Sequence, residues 1–117
     1  MNCIFEKLKM SKFRSSFHLK QKDKDYINKK GINVIKQHCL DFITKRLANP
    51  LLFNDGKQTP TKGHPVFIAQ HATATCCRKC LFKWHNIEKT HILTHQEKDY
   101  ICLIIMEWIN LEINNID

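Results

Sequence analysis

Residues 64–85 concentrate the side chains of this chain that can do chemistry. They hold three of its six cysteines, Cys76, Cys77 and Cys80, and three of its seven histidines, His64, His71 and His85, with Arg78 among them. Thiols, imidazoles and a guanidinium in one short stretch point to three kinds of chemistry: metal ligation, thiol reactivity, or binding of a polar ligand.

For zinc, Cys77 and Cys80 have the two-residue gap of a knuckle half-site, and His71 and His85 are the candidates to complete a tetrahedron. A second CxxC pair is missing, so the motif is half of the usual one. For thiol chemistry, two cysteines at a helix N-terminus beside Arg78 and Lys79 would favour thiolate, although the βαβ setting of a thioredoxin-like fold is absent. For a polar ligand, His64, His71, Arg78 and His85 would combine with Lys57, Gln58 and Thr59 from the preceding loop. In an enzymatic form of that site His71 is the base, Arg78 and Lys57 hold a small anionic substrate, and a cysteine serves as nucleophile. Against each stands the plain reading that Cys77, Cys80 and Trp84 are packing residues and the histidines are ordinary surface or core groups.

Spacing discriminates among these. Residues seven apart nearly superpose on a helix turning about 100° per residue. On one unbroken helix His64, His71, Arg78 and His85 therefore form a polar seam, and Thr73, Cys77, Cys80 and Trp84 lie roughly opposite. Such a helix separates histidines from cysteines, so the zinc and thiol readings both need a break near Thr73 to Thr75, with Thr75 as the new cap. The spacing favours the unbroken, two-faced helix, cysteines inward and the histidine seam facing the loop.

The surrounding elements are those of an all-α protein, a small compact bundle of four to five helices with a long ordered loop. Three glycines and three prolines are too few for a sandwich or barrel. A helix over 22–30 should end at Gly31, and a second over 33–47 carries the apolar stripe Ile35, Cys39, Phe42, Ile43 and Leu47. Thr94 and Glu97 form a capping box that opens a final helix to about Ile113. Residues 48–63 form the loop; Leu51, Leu52 and Phe53 imply that part of it packs over the site. Residues 1–10 read as a poorly ordered N-terminal extension and 11–117 as the single domain, with Phe13, Phe17 and Leu19 in an extended segment docked on it.

Net charge is +8, of which residues 1–36 carry +7. A basic segment suits nucleic acid, making an accessory nucleic-acid-binding protein a third class of function. Lysine there greatly outnumbers arginine and lacks its planar fork, so a solvated face is the simpler account. Cys39 and Cys102 sit in apolar helical patterns as small core residues. With no apolar leader and no long apolar run, the expectation is a reducing cytoplasm, free thiols and no membrane insertion.

Several motifs also resemble a known family. Asn54-Asp55-Gly56-Lys57-Gln58-Thr59-Pro60, the long run from Gly63 through Cys76-Cys77-Arg78-Lys79-Cys80-Leu81, and Lys83-Trp84-His85-Asn86-Ile87 are similar to the family called domain of unknown function 4186. Phe13-Arg14-Ser15-Ser16-Phe17, Asp41-Phe42-Ile43-Thr44-Lys45-Arg46-Leu47 and Glu107-Trp108-Ile109 fit as well, so the resemblance covers about residues 11–110. Lys79 stands where the family usually has glycine, which eases an unbroken helix here. The resemblance implies a bacterial or phage setting and supplies no catalytic residues.

Overall fold

A computed structural model of the chain describes residues 2–50 and 58–114. Among these it has seven helices and no strand: α1 (Asn2–Met10), α2 (Lys12–Ser15), α3 (Gln21–Lys30), α4 (Ile32–Arg46), α5 (Pro65–Ala72), α6 (Arg78–His85) and α7 (His95–Ile113). The all-helical class is as expected, but the count exceeds four to five. Two of the additional helices lie in residues 2–15, and another comes from division of the 64–85 stretch.

The core forms where α7 crosses α4 and α5. Ile101, Ile104, Ile105 and Ile109 of α7 are completely buried, as are Ile35, Cys39 and Ile43 of α4 and Val66 and Ala69 of α5. Their spacing of three and four residues along each helix is what turns one face inward. Cys39 and Cys102 meet inside this core with sulfurs 3.5 Å apart, both unbridged. The capping box of α7 forms as its sequence specifies: Glu97 N donates to Thr94 Oγ1 at 3.1 Å, and Thr94 N to Glu97 Oε1 at 2.9 Å. Gly31, at φ 90°, joins α3 directly to α4 in a conformation costly for any side chain.

Residues 2–10, expected to be a poorly ordered extension, form helix α1. Leu8 of α1 is buried, and Ser11 caps α2 through a bond from Arg14 N. Phe13 and Phe17, expected on an extended segment, meet edge-on at 5.2 Å because α2 intervenes, while Leu19 beyond it is buried.

The expectation of one helix over 64–85 is overturned. Helix α5 ends in a Schellman motif: Thr75 N donates to Gln70 O at 2.8 Å, Ala74 N to His71 O at 3.4 Å, and Ala74 takes the left-handed conformation at φ 58°. Thr73 drives the stop, its hydroxyl donating to Ala69 O at 2.7 Å and pairing with Thr75 Oγ1 at 2.9 Å. Threonines that satisfy backbone groups with their own hydroxyls compete with helix continuation. Helix α6 begins at Arg78, six residues after α5 ends, and its cap is Cys77 rather than Thr75: Cys77 Sγ accepts from Cys80 N at 3.4 Å.

Candidate functional site: a three-thiol turn

The break folds the polypeptide so that Cys76, Cys77 and Cys80 converge at the N-terminus of α6. Their three sulfurs all lie within 4.8 Å of one another, and Cys76 and Cys80 are 3.7 Å apart. Cys76 and Cys77 are buried, whereas Cys80 is half-exposed. A fourth group completes the arrangement from far away in sequence. Arg14 of α2, only 9% exposed, donates to Cys80 Sγ at 3.1 Å and to Cys76 Sγ at 3.6 Å. The same guanidinium donates to His71 O at 2.8 Å, a carbonyl in the last turn of α5. Arg14 thus ties α2 to the end of one helix and the start of the next.

This packing distributes charge unevenly over the sulfurs. Hydrogen bonds from Cys76 and Cys77, with the positive charge of Arg14, hold the Cys80 thiol well below its ordinary range despite burial. Cys76, the donor to Cys77 and Cys80, is pushed far up by those bonds and by desolvation. Cys77 gains from its bond with Cys76, but its bond to Cys80 and its burial leave it raised overall. The arrangement favours negative charge on Cys80, the sulfur to which Arg14 donates at 3.1 Å.

The histidines and Arg78 are placed differently from the expected seam. His64 caps α5: its Nδ1 accepts from Val66 N at 3.0 Å, so its Nε2 carries the proton and donates to His38 Nδ1 at 3.0 Å. His71 stacks on Phe17, and its Nε2 donates toward Thr59 O at 3.0 Å and Pro60 O at 3.1 Å. His85 bonds Thr73 O through Nε2 at 2.8 Å and Tyr100 Oη through Nδ1 at 2.9 Å. Neither His71 nor His85 joins the sulfurs in one cluster, as the zinc reading had required. Arg78, the expected anion clamp, is buried and donates to four carbonyls: Leu47 O and Ala48 O at 3.1 Å, Glu88 O at 2.7 Å and His91 O at 2.9 Å.

Part of the preceding loop does lie over the turn. Thr59, buried, donates to Cys76 O at 2.8 Å and receives Gln70 Nε2 at 3.4 Å; Gln58, also buried, offers its carbonyl to Arg46 at 3.3 Å. Lys57, with the expected packing of Leu51, Leu52 and Phe53, lies outside the described residues. Sequence reasoning placed Cys77 and Cys80 together but omitted Cys76 and Arg14 from the ligand set. The CysCys doublet was the available signal for the first. For Arg14 there was only the Phe13-Arg14 motif, which no local rule connects to a cysteine 62 residues onward.

His64 gives the protein a pH-dependent weak point. Desolvation, and secondarily the neighbouring His38, lower its pKa to about 4 against the pull of Asp23. The folded state thus favours neutral His64, and its Nδ1 lone pair is what caps α5. The unfolded chain takes up this proton near pH 6.5, so stability is full above that pH and falls as pH drops toward 4, by up to roughly 3 kcal/mol. Urea midpoints between pH 7.5 and 4.5 should show this decline, and H64N should flatten it, since asparagine caps through an oxygen that does not titrate.

The family model described as Domain of unknown function (DUF4186) matches residues 2–110. The match takes in α1 and begins before residue 11, where the resemblance had been seen to start. No solved structure matches the chain.

Proposed function

The chain belongs to the DUF4186 family, and we propose from the site's own chemistry that it is a metal-binding protein. Cys76, Cys77 and Cys80 are its ligands and zinc is its ion. The observation that carries this reading is the spacing of the sulfurs. Two thiolates on one tetrahedral zinc, each bonded at about 2.3 Å, lie about 3.8 Å apart; Cys76 and Cys80 are 3.7 Å apart already. Once a metal displaces the Cys77 proton, the bond from Cys80 N to Cys77 Sγ and the positive end of α6 would stabilise that thiolate against its burial. Three thiolates on a divalent ion carry one net negative charge, and Arg14 supplies the matching positive one.

Three protein ligands leave the fourth position to a water, a substrate atom or a side chain outside the described residues. Open positions of this kind belong to reactive zinc centres. A small anionic ligand bound there would meet Arg14, which takes the part first expected of Arg78 and Lys57. A nucleic-acid role has less support: Arg14, the one arginine of the basic segment, is turned inward onto the thiols. No helix among the described residues is long and apolar enough to cross a membrane.

Elemental analysis of untagged protein tests the reading. About one zinc per chain is expected, and cobalt(II) added to the metal-free protein should give thiolate charge-transfer absorption with tetrahedral visible bands. A folded protein that holds no zinc and gives no such bands with cobalt overturns it.

A further inference from the structure

We infer that Cys80 and Cys76 form a peroxide-responsive thiol pair, Cys80 being the attacking sulfur and Cys76 the resolving one. This goes beyond metal binding and does not depend on it.

Access and geometry assign the two roles. Of the three clustered thiols only Cys80 is half-exposed, and the Arg14 guanidinium donates to its sulfur at 3.1 Å. An oxidant arriving from solvent meets this sulfur first. Cys76, buried behind it, lies 3.7 Å away, so a bond of about 2.05 Å needs only a modest local approach. Cys77 is the less suitable partner because its sulfur caps α6 through Cys80 N. The core pair Cys39 and Cys102 supplies a contrast. Their sulfurs are closer, 3.5 Å apart, but exposures of 0% and 6% shield them from a soluble oxidant. Cys3 is exposed and lies outside this cluster.

The chemistry needs a hydroperoxide as oxidant. The Cys80 thiolate attacks one peroxide oxygen; an S–O bond forms, the O–O bond breaks, and hydroxide leaves. Sulfur is oxidised to sulfenic acid as the peroxide is reduced. Cys76 sulfur then attacks Cys80 sulfur. The S–S bond forms, the S–O bond breaks, and water leaves carrying the Cys76 proton. A dithiol reductant restores both thiols by exchange, becoming a disulfide itself. If zinc occupies the same sulfurs, the oxidised pair can no longer ligate it.

The experiment uses full-length C3S protein, stripped of metal with a chelator and treated with hydrogen peroxide. Expected is a chain two hydrogens lighter whose peptide map links Cys76 to Cys80, with Cys39 and Cys102 still reduced. Adding C76S should instead trap Cys80 as a dimedone-reactive sulfenic acid, and adding C80S should abolish both products. Circular dichroism identifies any variant that fails to fold, and wild-type protein at the same dose then decides through its own peptide map. A chain in which Cys76 and Cys80 stay reduced at a dose that oxidises Cys3 of wild-type protein overturns the inference. So does a sole product linking Cys77 to Cys80. A parallel sample with one equivalent of zinc separates the two readings. Protection by zinc supports both, and disulfide formation unaffected by zinc removes the metal reading alone. Zinc binding by a chain whose metal-free form resists peroxide removes the thiol-pair reading alone.

Discussion

The C77S variant is expected to fold normally and to lose zinc. Serine is a better helix N-cap than cysteine, so replacing a sulfur that accepts from Cys80 N retains the start of α6. The hydroxyl is a poor zinc ligand, however, and a site with three protein donors has little affinity in reserve. Structural zinc sites bind with roughly 10–16 kcal/mol in total, so losing one of three thiolates should weaken binding by on the order of a thousandfold. Competition against a chromophoric chelator measures this directly. C76S and C80S should behave alike. R14Q should retain the ligands and lose about ten- to a hundredfold, the usual cost of removing an outer hydrogen bond to a metal ligand. The contrasting variants are H71A and H85A. Their imidazole nitrogens bond Thr59 O, Pro60 O, Thr73 O and Tyr100 Oη, so zinc stoichiometry should persist while thermal stability falls. A folded H71A or H85A protein without zinc would place that histidine back among the ligands.

That contrast marks where local sequence rules succeed in this chain. The ends of α3, α4 and α7 follow from Gly31, the apolar stripe and the capping box, because each signal acts within a few residues. Asn86, at φ 59°, likewise ends α6 as a left-handed residue should. The end of α5 was harder to see. The left-handed position that usually takes glycine is held by Ala74, a good helix former, and the hydroxyl pair of Thr73 and Thr75 compensates. A periodicity argument reads straight through such a site. The consequence reached the chemistry, since the seven-residue seam of His64, His71, Arg78 and His85 exists only on an unbroken helix. Once broken, the chain separates those four residues into structural posts and collects the cysteines instead. Arg14 was invisible for a different reason: it reaches the thiols through the docking of α2 against α5, a contact between distant segments that no spacing rule encodes.

Replacing Arg78 should destabilise the molecule strongly. Helix α4 ends at Arg46, and its last carbonyls carry the negative end of the helix dipole without helical partners. Arg78 answers two groups there, Leu47 O and Ala48 O, and reaches Glu88 O and His91 O in the segment that leads to α7. One planar guanidinium thereby joins the end of α4, the start of α6 and the approach to α7. The site is 3% exposed, so water cannot readily replace the lost donors. R78M fills much of the volume yet leaves those carbonyls short of a donor, at an expected loss of about 3–5 kcal/mol. R78K keeps the charge but not the fork, and a single ammonium with three donors cannot reach all four acceptors; its loss should be smaller than that of R78M. Urea denaturation at pH 7.5 measures both as shifts in midpoint at constant slope. The distinction also bears on the site. If Arg78 held an anionic substrate rather than four carbonyls, R78M would leave stability nearly unchanged and weaken ligand binding alone. Because the turn bearing Cys77 begins at the residue before Arg78, the destabilised variants should also bind zinc less tightly, and excess zinc should recover part of the lost stability.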